Sequence, residues 1–137
     1  MAAITAAALL VPTLARADCG DDLGALMKKR MAQVTALNQI TRTHGGKLEP
    51  ISACPRLRAL AVAEAEVVAY MTKNKDWCSL PDDLVEKMSQ SRARTASVAV
   101  KACDFAVKMK KMQAQQAQQA QQAANQQPVL KLPSGPL

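Results

Sequence analysis

Apolar residues recur at intervals of three and four along the first third of the chain, which is the period of an α-helix. The predicted helix runs from Asp21 to about Thr43. Its apolar face comprises Leu23, Leu26, Met27, Met31, Val34, Leu37 and Ile40. Gly45 and Gly46 follow, and glycine is favoured where a helix stops. The pattern therefore predicts a first helix that buries one face.

Two further helical patterns follow the first. The second begins with Pro55 in its first turn, where a missing N–H costs nothing, and ends near Lys75. Its apolar face comprises Leu57, Leu60, Ala61, Val67, Val68 and Met71. Pro81, Asp82 and Asp83 open the third, since proline and acidic residues suit a helix N-terminus. The third apolar face comprises Leu84, Met88, Val98, Ala102, Phe105, Ala106 and Met109.

The three patterns together predict the fold class. The chain has no alternation of apolar and polar residues long enough to predict a strand, so we expect an all-α protein. Short links between helices of similar length favour an up-down-up three-helix bundle, in which the third helix is extended.

The N-terminal residues have a different pattern. An apolar run ends in Ala15-Arg16-Ala17, a small-x-small cleavage pattern, which predicts a signal peptide over 1–17 and a mature chain from Asp18. The alternative is an uncleaved N-terminal helix. No basic residue precedes the apolar run, which leaves open a start codon further upstream. The run is shorter than the roughly 20 residues that span a bilayer.

The composition changes again after Met112. Residues 18–112 form the predicted helical domain, and 113–127 are an Ala/Gln-rich extension that is helical or frayed. Its strict repeat of three drifts around a helix, so a coiled-coil seam is not predicted. We interpret it as a solvated spacer, with a stalk that contacts the cell wall as the alternative. Residues 128–137 are predicted to be a disordered, proline-rich tail.

The four cysteines can be paired by their heights along the predicted bundle. Export places them in an oxidising compartment, where an even number is expected to form disulfides. Cys19 starts the first helix, and Cys78 lies at the same end, after the second helix. Cys54 lies at the opposite end, and Cys103 is about 30 Å along the third helix from Asp82, level with Cys54. The predicted disulfides are therefore Cys19–Cys78 and Cys54–Cys103.

Other roles for the cysteines fit less well. Trp77 stands beside Cys78, but a cysteine nucleophile needs a histidine base, and His44 is predicted at the other end of the bundle. Structural zinc sites use closely paired ligands, whereas these cysteines are widely spaced. We therefore predict no catalytic residue, no metal site and no cofactor. Trp77 is interpreted as an apolar plug over the Cys19–Cys78 disulfide.

Two charged residues interrupt the apolar faces. Arg30 lies within the face of the first helix and Glu64 within that of the second. An unpaired buried charge is costly, so we expect them to form a buried polar pair or to share the neighbours Asn38, Ser91 and Thr95. The alternative is a polar ligand site inside the bundle.

Methionine pairs suggest a second possible site. Met27 and Met31 are four residues apart, and Met109 and Met112 are three apart, spacings that would let thioethers bind a soft cation such as Cu(I). Methionine is also an ordinary filler of irregular cores, and we favour that interpretation.

The charge favours anionic partners. The sequence carries 18 basic and 11 acidic residues, a formal charge of +7, which removal of Arg16 with the signal would lower by one. Such a charge attracts anionic surfaces. Only Trp77, Tyr70 and Phe105 are aromatic, which disfavours nucleic acid, because single strands stack on aromatic rings. The basic residues do not form a stripe beside a free apolar face, so membrane-surface binding is not predicted.

The motifs A-C-P-x-L-R, beginning at Ala53, and W-C-x-L-P, beginning at Trp77, stand between Cys19 and Cys103. This arrangement, from Cys19 to Phe105, resembles a group of small exported four-cysteine helical proteins of alphaproteobacteria that have no assigned activity. The resemblance implies an envelope location and a disulfide framework, and it supplies no active site.

The functional expectation is an exported, non-enzymatic helical module in the periplasm or outside the cell. It would act by contact with an envelope or extracellular partner, either an unidentified envelope protein or an anionic cell-wall component. The alternative is a periplasmic carrier of a small ligand or metal that uses Arg30 and Glu64 or the methionine pairs. The sequence does not indicate the oligomeric state.

Overall fold

A computed structural model describes residues 14–125 of the 137-residue chain, with side chains from Cys19 onward. It contains three helices, α1 (Leu14–Thr43), α2 (Pro50–Asn74) and α3 (Asp82–Asn125), and these described residues include no strand. The all-α, up-down-up arrangement is confirmed. Most of the predicted signal peptide and all of the predicted tail, 128–137, lie outside the described residues.

The start of α2 differs from the prediction. The helix begins at Pro50, so Pro55 lies inside it and not in its first turn. The reason is a cap: the Glu49 carboxylate accepts hydrogen bonds from the backbone N–H groups of Ile51 at 2.8 Å and Ser52 at 2.7 Å. These two groups have no partner within the helix, and Pro50 has no N–H to satisfy. Likewise, α1 begins at Leu14, before the predicted start at Asp21.

The cap gives α2 a dependence on acid. Donation by the Ser52 side chain, then by the backbone N–H groups of Ser52 and Ile51, lowers the pKa of Glu49. A lowered pKa stabilises the folded state above the unfolded-state value, and this stabilisation disappears as the pH falls through the folded-state pKa. The Glu49→Gln variant should therefore have a lower melting temperature than the wild type at pH 7 and the same melting temperature as the wild type at about pH 2. Thermal melts across this range test the prediction, with Glu86→Gln, an exposed glutamate in α3, as the control.

The two interhelical links are fixed by local contacts. Gly45 and Gly46 have φ values of +63° and +82°, in the left-handed region that glycine adopts without strain. The Gly46 N–H donates to the Thr41 carbonyl at 2.9 Å, which closes the end of α1. In the second link, Lys75 pairs with Asp82 at the start of α3. Both reversals are therefore short, as the bundle requires.

Helix α2 is the central element. It contacts both α1 and α3, whereas α1 and α3 do not approach each other closely within the described ranges. The buried apolar residues are Ala53, Leu57, Leu60, Ala63, Val67 and Met71 of α2, with Ala99 and Ala106 of α3. Leu37 of α1 and Ala102 of α3 pack against the cluster of Ala53, Leu57 and Ala99. The core is thus centred on one face of α2.

Two disulfides fasten this arrangement, and both predicted pairs are confirmed. Cys19 of α1 bonds Cys78 in the second link, with a Cα–Cα distance of 5.8 Å. Cys54 of α2 bonds Cys103 of α3, with a Cα–Cα distance of 4.7 Å. One disulfide therefore lies near each end of α2, and each of the outer helices has a covalent tie.

The apolar face predicted for α3 is only partly buried. Leu84, Val98 and Phe105 are 41%, 46% and 59% exposed, so their prediction as core residues was wrong. The third helix packs on α2 through small residues, of which Ala99 is in the core cluster. Because α1 does not approach α3 closely, the larger side chains beside that contact stay at the surface.

The third helix also extends past the other two. It has 44 residues, whereas α2 has 25, and Cys103 is bonded to Cys54 near the start of α2. The residues of α3 beyond about Met109 therefore project past the bundle, and every residue from Lys110 to Asn125 is exposed. Within residues 14–125, no helix has an apolar stretch long enough to cross a membrane.

Candidate functional site

Among residues 19–125, the one charged side chain that is fully buried is Glu64. Its side chain is 1% exposed, and Oε1 accepts hydrogen bonds from Arg30 Nε and from Ser91 Oγ, both at 3.0 Å. The Arg30 side chain is 22% exposed, so the guanidinium still reaches water. The structure thus brings the two predicted residues into contact, and all three helices meet at one carboxylate oxygen.

The surroundings of this pair are more restricted than the sequence suggested. Of the three predicted polar neighbours, Ser91 bonds to Glu64, while Asn38 is exposed and Thr95 is half-buried. The second carboxylate oxygen, Oε2, is buried and has no hydrogen-bond partner among the described residues, and Gln33 Oε1 is in the same condition. The contacts at Oε1 fix the relative positions of three helices, and Oε2 of the same carboxylate has no partner among the described residues.

The Cys19–Cys78 disulfide is not covered by Trp77. Trp77 is 67% exposed, so its interpretation as an apolar plug over Cys78 was wrong. Tyr70 occupies that position: its hydroxyl lies 4.0 Å from Cys78 Sγ and donates to Asp22 Oδ2 at 3.4 Å. Tyr70 lies one helical turn before the link and is not part of the apolar face predicted for α2. Hydrophobic periodicity therefore did not identify it as a neighbour of Cys78.

Trp77→Ala should consequently change stability little. A surface substitution away from caps, pairs and the core is usually within about 0.5 kcal/mol of neutral. We expect the free energy of unfolding of the oxidised protein, measured in urea, to stay within that range. A loss of about 3 kcal/mol, as for a buried aromatic residue, would contradict the exposed position.

The remaining candidates are separated in space. His44 is exposed in the link after α1, and its Nδ1 lies 2.8 Å from the Ile40 carbonyl oxygen. Met27 and Met109 are half-buried, whereas Met31 and Met112 are 50% and 54% exposed. Met31 is therefore not a core residue, although the helical pattern predicted that it would be one. In the part of the chain that the structure describes, no group of three or more His, Cys, Asp or Glu residues is placed to hold a metal ion.

The surface carries a more extended feature on α3. Residues seven apart share a helix face with a drift of about 20° per step. Starting from Ser91, which faces Glu64, steps of seven reach Leu84, Val98, Phe105 and Met112. These four residues, which we name the α3 apolar line, are 41%, 46%, 59% and 54% exposed. Exposed apolar side chains thus stand at Leu84 and again from Val98 to Met112, onto the projecting part of α3. Between them the line is interrupted by Ser91, which is half-buried and donates to Glu64.

A row of basic residues runs beside this line. The members stand three residues after each of Leu84, Ser91, Val98 and Phe105, and all are exposed; they are Lys87, Arg94, Lys101 and Lys108, which we name the α3 basic flank. Lys108 Nζ lies 5.7 Å from the centroid of the Phe105 ring, a cation–π distance. Within this flank Lys87 pairs with Asp83 Oδ2 at 3.0 Å, which leaves Arg94, Lys101 and Lys108 as the basic side chains beside Val98 and Phe105.

The signal for this surface is present in the sequence. Steps of seven connect both the apolar and the basic members, and no acidic residue follows Asp104 in the chain. The prediction did not identify this surface because it placed Val98 and Phe105 in the core. If those two side chains were buried, the basic residues beside them would be an ordinary solvated face.

Comparisons of the chain with descriptions of protein families, with curated proteins and with solved structures found no match in any of the three.

Proposed function

We propose that the protein is an exported, non-enzymatic helical module that acts by contact with a partner in the cell envelope or outside the cell. The observation that supports this proposal is the α3 apolar line beside the α3 basic flank. Contiguous exposed apolar side chains rimmed by polar residues are typical of interaction sites. The two disulfides favour an oxidising compartment, and we place the protein in the periplasm or among secreted proteins.

The scaffold suits a contact function. Both outer helices are covalently tied, so the α3 surface keeps its shape before it meets a partner. A pre-organised surface loses less conformational freedom on binding than a flexible one. The exposed extension to Asn125 separates the domain from whatever follows it.

Photo-crosslinking in intact cells tests the contact. A photoreactive residue at Val98 reports on the α3 apolar line, and the same residue at Val62 is the matched control, since Val62 is 59% exposed on α2. We expect crosslinked products, identified by mass as protein or lipid, from position 98 and far fewer from position 62. Equal yields at the two positions, with the protein exported and oxidised, would count against the proposal.

A second candidate function, a carrier of a small ligand or metal, is favoured by one observation. Buried polar atoms are normally paired, yet Glu64 Oε2 and Gln33 Oε1 have no partner within the described residues. A bound ligand with a donor group would satisfy such an acceptor. Native mass spectrometry of protein purified from its own compartment should then show an added mass that Glu64→Gln removes, and a spectrum of the bare chain would reject the carrier.

A further inference from the structure

We propose that the partner of the α3 apolar line and basic flank is the surface of an anionic phospholipid bilayer. This inference rests on the proposed contact function and names its partner. From Leu84 to Met112 the line extends about 42 Å along α3 at 1.5 Å per residue. Its drift of about 20° per step keeps it within the apolar face, roughly 100° wide, of an amphipathic helix.

The charges complement an anionic surface. Interfacial helices place apolar side chains at the headgroup boundary and keep Lys and Arg beside them. Arg94, Lys101 and Lys108 of the basic flank supply such a row, whereas Lys87 is paired with Asp83. The position of Lys108 over Phe105 shows a basic side chain lying along the apolar line. Each basic residue near an anionic leaflet raises binding about fivefold.

A second copy of the chain fits this surface less well. In an antiparallel pair of α3 helices, the basic flank of each copy would lie against that of the other, and like charges repel. In a parallel pair, the basic flank of one copy would lie against the opposite side of the other copy's line. That side is not available, because Ala99 there is already buried in the core cluster with Leu57. Self-association therefore conflicts either with charge or with packing.

The shape also favours a flat partner over a helix seated in a groove. Two grooves lie away from the line: one between α2 and α3 is lined by Arg58, Val62 and Val100, and another between α1 and α2 by Lys29 and Glu66. Neither includes a residue of the α3 apolar line. A bilayer surface, unlike a partner helix, requires no groove.

Vesicle co-sedimentation tests the proposal with the oxidised full chain at physiological salt. The probes are vesicles of phosphatidylcholine with about 30% phosphatidylglycerol and vesicles of phosphatidylcholine alone. We expect binding to the anionic vesicles at least about tenfold stronger, since several basic residues act together. Arg94→Glu with Lys101→Glu should lower that binding about tenfold or more, and Phe105→Ser about tenfold.

The matched control is Arg56→Glu with Arg58→Glu, which makes the same charge change at exposed positions of α2. It should keep most of the binding. Helical circular dichroism and non-reducing mass establish that each variant is folded and oxidised. Equal losses in both double variants, equal binding to both vesicle types, or a dimer that requires Val98 would overturn the proposal. If vesicles do not bind while position 98 crosslinks to a protein in cells, this inference fails and the contact function stands.

Discussion

Cys54→Ser combined with Cys103→Ser should lower the thermal midpoint by about 15 °C or more. The Cys54–Cys103 disulfide joins residues with a sequence separation of 49, and in the chain-entropy model a loop of that size stabilises by about 4 kcal/mol. For a domain near 100 residues, each kcal/mol shifts the midpoint by about 4 °C or more. Calorimetry or circular dichroism of the oxidised double variant measures the effect.

The other disulfide provides the control for this experiment. Cys19–Cys78 has a sequence separation of 59, so the same chain-entropy argument predicts a comparable loss for Cys19→Ser with Cys78→Ser. In each double variant the remaining disulfide should still form, because one lies near each end of α2. Non-reducing peptide mapping checks this. A shift of only 1 or 2 °C in both variants would show that the helices hold together without their covalent ties.

The disulfide pairing could be predicted because it depends on few quantities. The rise per residue of a helix and the short links decide which cysteines are level, and errors of several residues at helix ends do not change that order. The start of α2 was missed for a different reason. Its cap is Glu49, which is not among the usual Ser, Thr, Asp and Asn, whereas Pro55 carries a familiar start signal.

Surface and core could not be separated on α3 by periodicity. The pattern shows which side chains share a face, and Val98 and Phe105 do share one with Ser91. It does not show whether another helix covers that face. Here the contact with α2 is made by alanines such as Ala99, which contribute little to an apolar pattern, and α1 leaves the larger side chains exposed. The candidate surface depends on this tertiary detail.

The buried pair, by contrast, followed from an energetic rule. Two charges in apolar faces of adjacent helices are expected to meet, because burial of either alone is costly. The rule does not predict which residue of α3 joins Arg30 and Glu64. Ser91 was one of several polar neighbours considered, and the register of α3 against α2 decides that it donates to Glu64.

Arg30→Met tests the pair and should lower the free energy of unfolding by about 3 kcal/mol. Removing one partner leaves the other charge buried, which costs about 3–5 kcal/mol, and the partial exposure of Arg30 places this case at the lower end. Ser91 would still donate to Glu64 but cannot neutralise it. Urea denaturation of the oxidised protein at pH 7 gives the value.

A neighbouring ion pair between the same two helices provides the matched control. Lys29 and Glu66 lie 3.2 Å apart, with side chains 64% and 43% exposed. Because water screens such a pair, Lys29→Met should cost less than about 1 kcal/mol. Arg30→Met with Glu64→Leu removes both buried charges and should recover most of the loss, since a buried pair replaced by apolar residues is often neutral or stabilising. If Arg30→Met lowers the free energy of unfolding no more than Lys29→Met does, Arg30 does not stabilise the charged carboxylate of Glu64. The contact of the three helices at Oε1 would then not be stabilised by an ion pair.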